Sequence, residues 1–264
     1  RLYIACQSRD GNLTEFFKYE NQPWPPALSK LGDLRDGNTS DLLHILEGPD
    51  RVGYERPPVD AILLDGAVIV HMLSPGTAKT FQEYTDNVFI PYVRRQLEST
   101  NRVDVIWDVY RVDSLKAEAR ERRGAGIRRR VLSASQIPRN WKSFLRVSEN
   151  KSELFHFLAE EVSLIQVDGK EVYSTCGEHV LTSPHREDCD LLELCTHEEA
   201  DTRIIVHLAD AAQQGHRRVM VRTDDTDVVV LIVAHLHSLA LAEVWVAFGL
   251  ANHFRYIAAH NLVI

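Results

Sequence analysis

Residues 217–231 read RRVMVRTDDTDVVVL and join an apolar strand to an apolar helix through three acidic residues. The pattern predicts a strand at residues 218–222 and a helix at residues 226–239. Acidic residues directly after a strand lie where an open α/β sheet places its ligand crevice. This stretch therefore predicts both a sheet with helical connections and a site at its edge.

Two other predicted strands also end in an aspartate. Asp65 follows AILL and Asp108 follows VDVIW. Strands alternate with helices from residue 59 onward, which predicts an α/β fold with a mainly parallel sheet and helices on both faces. Residues 1–58 are irregular and read as the tail of an upstream region, which leaves residues 59–264 as the domain.

The acidic residues are expected to meet at one edge of the sheet. In a parallel sheet the residues that follow neighbouring strands share a rim, so Asp65, Asp108 and Asp225 should be neighbours. A helix predicted at residues 198–213 begins with Glu199 and Asp201 and can face the same rim. Like charges this close raise one another's pKa and oppose folding unless cations neutralise them.

Each acidic residue also has a purely structural explanation. Thr196 and Glu199 fit a capping box, and Asp225 fits the N-cap of the following helix. Asp65 precedes Gly66 and fits a turn, while Asp108 fits an exposed strand end. Independent caps have no reason to gather at one edge of one sheet, so the combination favours a shared site.

Carboxylate oxygens are the ligands that Mg²⁺ and Mn²⁺ prefer. Two such ions about 4 Å apart activate a water and stabilise the leaving oxygen of a phosphodiester. Residues 116–130 carry seven basic residues against two acidic ones, a pattern suited to holding a polyanionic substrate. The alternative for this cationic segment is a solvated helix followed by a flexible loop.

Composition limits the classes of function and the cellular locations that fit this chain. The net charge of −8 argues against a protein that coats nucleic acid without specificity. No apolar run is long enough for a membrane span, and the first residues lack the apolar core of a signal peptide. Because the first residue is an arginine, the chain is expected to be a fragment. Four cysteines without a CxxC pair predict an intracellular, reducing setting, with the nucleus as one candidate.

A second cluster of potential metal ligands occupies residues 176–197. Zinc could select four of its members, although structural zinc sites usually show tighter paired spacing, and a polar insertion with incidental cysteines and histidines is the other interpretation. The sequence contains no GxSxG elbow, P-loop or GxGxxG motif. The members of the cluster are Cys176, His179, His185, Cys189, Cys195 and His197.

The order of the acidic motifs resembles the PIN-like nuclease superfamily, and within it the flap endonuclease and XPG branch. ILLDGAVIVHML is similar to the family's first aspartate followed by an apolar helix, and VIWDVYRVDSLKAEARERR is similar to its second aspartate followed by a basic helix. Glu199-Ala200-Asp201 and Asp224-Asp225-Thr226-Asp227 resemble the two remaining motifs. The resemblance covers residues 60–250. HEEADTR and RTDDTDVVVL also resemble segments of uncharacterised, multicopy, mobile-element-like animal proteins.

The resemblance implies a metal-dependent nuclease that acts on DNA or RNA with two Mg²⁺ or Mn²⁺ ions. It implies metal ligation by six carboxylates and contact of the scissile phosphate by Lys116 and by Arg120 or Arg123. The six implied ligands are Asp65, Asp108, Glu199, Asp201, Asp225 and Asp227.

Two departures from the family pattern stand out. Val109 replaces a glycine after the second aspartate, and the chain ends before the family's further ligand segment and its duplex-binding motif. We therefore expect a domain truncated at its C-terminus. The alternative function is a catalytically inactive PIN-like module that binds nucleic acid or a protein partner.

Overall fold

The structure is a computed structural model that describes residues 29–30, 33–34, 39–47, 55–110, 126–193 and 195–262. The chain divides into two compact units, residues 1–42 and residues 43–264. In the smaller unit, strands β1 (Ser29–Lys30) and β2 (Asp33–Leu34) pair antiparallel. The sheet and the acidic residues discussed below belong to the larger unit.

The described part of the larger unit contains one sheet of seven strands. These are β3 (Ala61–Asp65), β4 (Arg102–Ile106), β5 (Glu171–Cys176), β6 (His179–Ser183), β7 (Arg218–Thr223), β8 (Glu243–Phe248) and β9 (Arg255–Ala258). They lie in the order β6-β5-β4-β3-β7-β8-β9. The five inner strands are parallel, and the edge strands β6 and β9 are antiparallel to their neighbours. The predicted α/β class with a mainly parallel sheet is confirmed.

Helices cover both faces of this sheet. They are α1 (Thr39–Glu47), α2 (Gly66–Met72), α3 (Phe81–Tyr84), α4 (Ile90–Ser99), α5 (Trp141–Phe144), α6 (Ser148–Ser163), α7 (Ala200–Gln213) and α8 (Thr226–His235). Ile62 and Leu64 of β3 belong to the core that includes α4 and α6, whereas Ala61 and Leu63 belong to the core that includes α7 and α8. Both faces of β3 are buried, which explains its uninterrupted apolar sequence.

Residues 80–99 have roughly the apolar spacing of one helix, but the observed helix is interrupted. A π-helical segment, Thr85–Phe89, separates α3 from α4, and the N–H of Ile90 donates to the carbonyl of Thr85. Pro91 follows at once, has no N–H to donate, and its ring crowds the carbonyl four residues earlier, so a wider turn is favoured at this point.

A largely buried ionic network ties β4 to α7. The Arg102 guanidinium donates two hydrogen bonds of 2.7 Å to Asp104 and lies 2.7 Å from a carboxylate oxygen of Asp210. His207 Nδ1 lies 2.7 Å from Asp104 Oδ2, one of the two oxygens that accept from Arg102. Arg186 donates to both oxygens of Asp210. Every buried carboxylate in the network thus faces a cation, and the network fixes α7 against the sheet.

The direction in which strands are added to the sheet reverses at β3. β4 and β5 are added on one side of β3, whereas β7 and β8 are added on the other side. This reversal is a topological switch point, where open α/β sheets leave a crevice outside the carboxyl ends of the strands. The carboxyl ends of β4, β3 and β7 are therefore adjacent.

Candidate functional site

A pocket of about 440 Å³ lies at the carboxyl ends of β4, β3 and β7. All six carboxylates that the sequence singles out line it, and Glu198 and Asp224 line it as well. They come from four separate chain segments. The predicted convergence is thus present, and we call this feature the acidic pocket. The six are Asp65, Asp108, Glu199, Asp201, Asp225 and Asp227.

Asp65 is held in place at the end of β3. Its Oδ1 accepts a hydrogen bond from the Val68 N–H at 3.1 Å, which caps α2, and its Oδ2 accepts from Thr223 Oγ1 at 3.0 Å. The side chain therefore links the ends of two neighbouring strands. Asp65 acts as an N-cap as well as lying in the pocket, whereas the structural explanation offered by the sequence was a turn.

Gly66 allows the strand to approach the neighbouring indole closely. A Cβ at this position would lie 2.2 Å from Cε3 of Trp107. Trp107 is fixed in turn, because its indole N–H donates to Ser174 and its ring stacks on Phe155 with centroids 4.8 Å apart. A glycine directly after Asp65 is thus required by packing against β4.

Asp108 connects β4 to the start of α7. Its Oδ1 accepts from the Ala200 N–H at 2.9 Å, and the Val109 N–H donates to the Glu198 carbonyl at 2.7 Å. The Thr196 and Glu199 capping box is therefore wrong: α7 begins at Ala200, and no side chain of its own segment caps it. The cap comes from Asp108, and it brings Asp201 to the rim.

The fourth segment follows β7. Asp225 caps α8 by accepting from the Asp227 N–H at 2.8 Å, as the N-cap interpretation predicts. The Asp225 N–H donates to Thr223 Oγ1 at 3.1 Å. The same hydroxyl donates to Asp65, so Thr223 fixes the spacing between two acidic segments.

The carboxylates of Asp201 and Asp227 differ from these capping residues. Within the described part of the chain, neither carboxylate accepts a hydrogen bond from a protein donor. Their side chains are therefore free to turn toward a ligand, whereas Asp65 and Asp108 are anchored at both oxygens.

Proton affinities in the pocket reflect burial and crowding. Burial, followed by repulsion from Asp108, raises the pKa of Asp65 to about 8, although its two hydrogen bonds act in the opposite direction. Burial and then the charges of Asp225 and Asp108 raise the pKa of Asp201 to about 7. Burial also raises the pKa of Asp225. The site therefore resists accumulating its full negative charge.

Two basic side chains that the sequence did not single out also line the pocket. They are His71 on α2 and Lys151 on α6. Lys151 Nζ lies 4.1 Å above the ring of Tyr110, whose hydroxyl donates to Asp108 at 3.0 Å. Nothing in the sequence around either residue indicates that it lies near the pocket. Lys116, Arg120 and Arg123, together with the helix predicted at residues 113–123, lie outside the described residues.

The donor set consists of carboxylate oxygens, which suits a hard divalent cation. Across residues 39–47, 55–110, 126–193 and 195–262, no three His, Cys, Asp or Glu side chains converge closely enough to hold a metal ion as they stand. In the second cluster, Cys189 is buried, and Cys176 Sγ lies 3.1 Å from His156 Nδ1 rather than from another member.

A scan against protein-family models finds no match to this chain, and a search of curated proteins finds none either. Within the described segments, every helix is too short or too polar to cross a bilayer.

Proposed function

We propose that the acidic pocket binds Mg²⁺ or Mn²⁺ and that the chain is a PIN-like, metal-dependent phosphodiesterase acting on DNA or RNA. One observation supports this most strongly: six carboxylates from four chain segments line one pocket at the switch point of the sheet. Burial, and after it the repulsion between these charges, raises the pKa values of Asp65 and Asp201. Divalent cations would relieve that repulsion, because an ion favours the charged form of each neighbouring carboxylate.

The side chains have different parts in this proposal. Asp201 and Asp227 are the most mobile candidate ligands, since protein donors do not hold their carboxylates in the described residues. Asp65 and Asp108 fix the ends of β3 and β4 and offer further oxygen atoms to the ion. Inward rotation of Asp201 and Asp227 would complete a ligand set. Bound ions would supply an activated water and stabilise the leaving oxygen.

Binding of the substrate phosphates requires positive charge near the pocket. Lys151 lines it directly, whereas His71, which also lines it, has a pKa that burial and then the charge of Lys151 lower, so its neutral form is favoured. Lys116, Arg120 and Arg123 remain the candidates that the family resemblance implies for contact with the scissile phosphate.

The second candidate function is an inactive PIN-like module that binds nucleic acid or a protein partner. It is favoured by the hydrogen bonds of Asp65 and Asp108, whose four carboxylate oxygens each accept from a protein donor. These two residues are satisfied as structural caps without any ion. The two functions make different predictions about metal binding and about cleavage.

Metal binding is tested by thermal unfolding with increasing Mn²⁺ and Mg²⁺. A ligand present at about 100 times its dissociation constant stabilises the native state by about 2.7 kcal/mol. We expect this stabilisation in the wild type, a strong reduction in Asp201→Asn and Asp227→Asn, and none of that reduction in Glu98→Gln, an exposed acid on α4. A wild type that gains no stability with either ion would contradict the metal site.

Catalysis is tested by Mn²⁺-dependent cleavage of single-stranded and branched DNA and RNA. We expect wild-type cleavage and its loss in Asp227→Asn. Metal binding without cleavage would favour the inactive module. Equal cleavage rates in the wild type and Asp227→Asn would remove the pocket from the mechanism.

A further inference from the structure

Two more cavities lie beside the acidic pocket. The first, of about 680 Å³, shares His71 with the acidic pocket, and the second, of about 550 Å³, shares Arg139 and Trp141 with the first. The three cavities therefore lie next to one another in this order, and we treat them together as one depression. It runs from the carboxylates past α5 to the loop after α2.

Basic side chains line this depression outside the acidic pocket. They are exposed, and none of them forms an ion pair with a described residue. Among the described residues that line these two cavities, none is acidic. A group of exposed cations with no acidic residue in the lining of these two cavities, in a chain of net charge −8, favours an anionic ligand. We call this feature the basic groove and define it by Lys79, Arg139, Lys142 and Arg146.

The floor of the basic groove is apolar and rigid. Trp141 is 8% exposed, its indole N–H donates to the Val70 carbonyl at 3.3 Å, and its ring stacks on Phe144 with centroids 5.1 Å apart. Pro138 and Leu145 are buried beside it. The basic side chains are thus carried on well-packed backbone, which holds their spacing.

The spread of the charges identifies the kind of anion. Four cations distributed over two consecutive cavities match a row of phosphates better than a single phosphate group. Electropositive grooves that follow the backbone are a general means of binding single strands. The cavities have the dimensions of ligand clefts, which a single strand can enter.

We propose that the basic groove binds the sugar–phosphate backbone of a single-stranded nucleic acid and leads the strand past His71 into the acidic pocket. This direction of the strand rests on the proposed phosphodiesterase function, whereas binding in the groove does not. DNA and RNA share the phosphate chemistry that the groove recognises, so the experiment compares them directly.

The test uses the whole 264-residue chain with EDTA, so that cleavage does not occur. Fluorescence anisotropy measures the binding of labelled oligodeoxythymidylate and of labelled oligouridylate to the wild type, to Lys142→Gln/Arg146→Gln, and to Arg94→Gln/Arg95→Gln. The last variant removes the same charge from exposed positions of α4. It is therefore a matched control for net charge.

We expect the groove variant to bind about tenfold more weakly or worse, and the control to bind within about twofold of the wild type. The slope of log affinity against log salt should become shallower by about 1.4, because each phosphate contact on a single strand contributes about 0.7. The ratio of the two oligonucleotide affinities shows which nucleic acid the groove prefers. Unchanged melting temperatures and restored binding in Lys142→Arg/Arg146→Lys would show that charge, rather than misfolding, causes the loss.

Three results would overturn the proposal. One is no binding by the wild type, a second is equal binding by the groove variant and the wild type, and the third is displacement of the labelled strand as effectively by a duplex as by a single strand. The Mn²⁺ unfolding experiment separates this proposal from the metal site. Groove-dependent binding without Mn²⁺ stabilisation would support the groove and contradict the phosphodiesterase.

Discussion

Asp65 and Asp104 occupy neighbouring strands of the same sheet, and both are buried, yet their proton affinities change in opposite directions. Burial raises the pKa of Asp65, and Asp108 raises it further, to about 8. Burial alone would also raise the pKa of Asp104, but the Arg102 guanidinium and His207 lower it to about 2. Among the described residues, the interior places cations beside its buried acids, whereas the acids at the rim lie mainly beside one another. The proposed divalent cations would supply the compensating charge at the rim.

The largest expected effect comes from a substitution in the buried ionic network. Asp104→Asn removes the charge that Arg102 and His207 face, and breaking a buried ion pair costs about 3–5 kcal/mol. Urea unfolding at neutral pH measures the change. Asp65→Asn is the matched substitution at the rim and should cost far less. A loss below about 1 kcal/mol for Asp104→Asn would show that the network contributes little.

The next effect is a dependence of the stability of the native state on pH. The unfolded Asp65 carboxyl loses its proton near pH 3.8, whereas the folded one keeps it up to about pH 8, so the metal-free native state binds more protons across this interval. Stability should therefore fall as pH rises, by an amount on the order of 3–4 kcal/mol between pH 5 and pH 8. Asp65→Asn should flatten this fall in a series of unfolding curves. An equally steep fall in the variant would exclude Asp65 as its source.

A smaller effect tests whether packing holds the rim together. Gly66→Ala places a methyl group 2.2 Å from Trp107 Cε3, and such overpacking costs about 1–3 kcal/mol. Urea unfolding measures the loss. A double-mutant cycle with Trp107→Leu is the control, since the smaller side chain should absorb part of the clash. Additive losses in the cycle would contradict a direct contact.

The smallest effect concerns the hydroxyl that links two acidic segments. Thr223→Val removes the donor to Asp65 and the acceptor for the Asp225 N–H, which should cost about 1 kcal/mol. For a chain of this size the melting temperature should fall by about 2–4 °C. Thr202→Val, at an exposed position of α7, is the control. A larger loss in the control would show that Thr223 has no special role.

The strands and the meeting of the acidic residues could be predicted because both follow from local patterns and one topological rule. Asp65 and Asp225 each follow an apolar strand, and parallel strands bring their ends to the same rim. The residues that cap the helices were harder to assign. Thr196 and Glu199 fit a capping box three residues apart, yet the actual cap, Asp108, lies 92 residues earlier in the chain.

The buried ionic network could not be predicted from the sequence, for a related reason. RVDVI at β4 predicts a strand, but nothing local to it indicates that Asp210 and His207 lie opposite Arg102 and Asp104. Partners of buried charges are set by tertiary packing, and a strand pattern carries no information about them. The basic groove could not be predicted from the sequence either, because its cations come from two segments separated by more than 50 residues.

The hydrogen bond from the Ala200 N–H to Asp108 gives the acidic pocket a mechanical connection to the rest of the molecule. An ion that draws Asp108 inward competes with the first turn of α7 for the same oxygen atom. Farther along that helix, Arg203 donates to the carbonyls of Gly177 and His179 in the β5 and β6 hairpin. Binding of an ion at the rim would then change amide hydrogen exchange at Ala200 and at the edge of the sheet, because α7 connects the two.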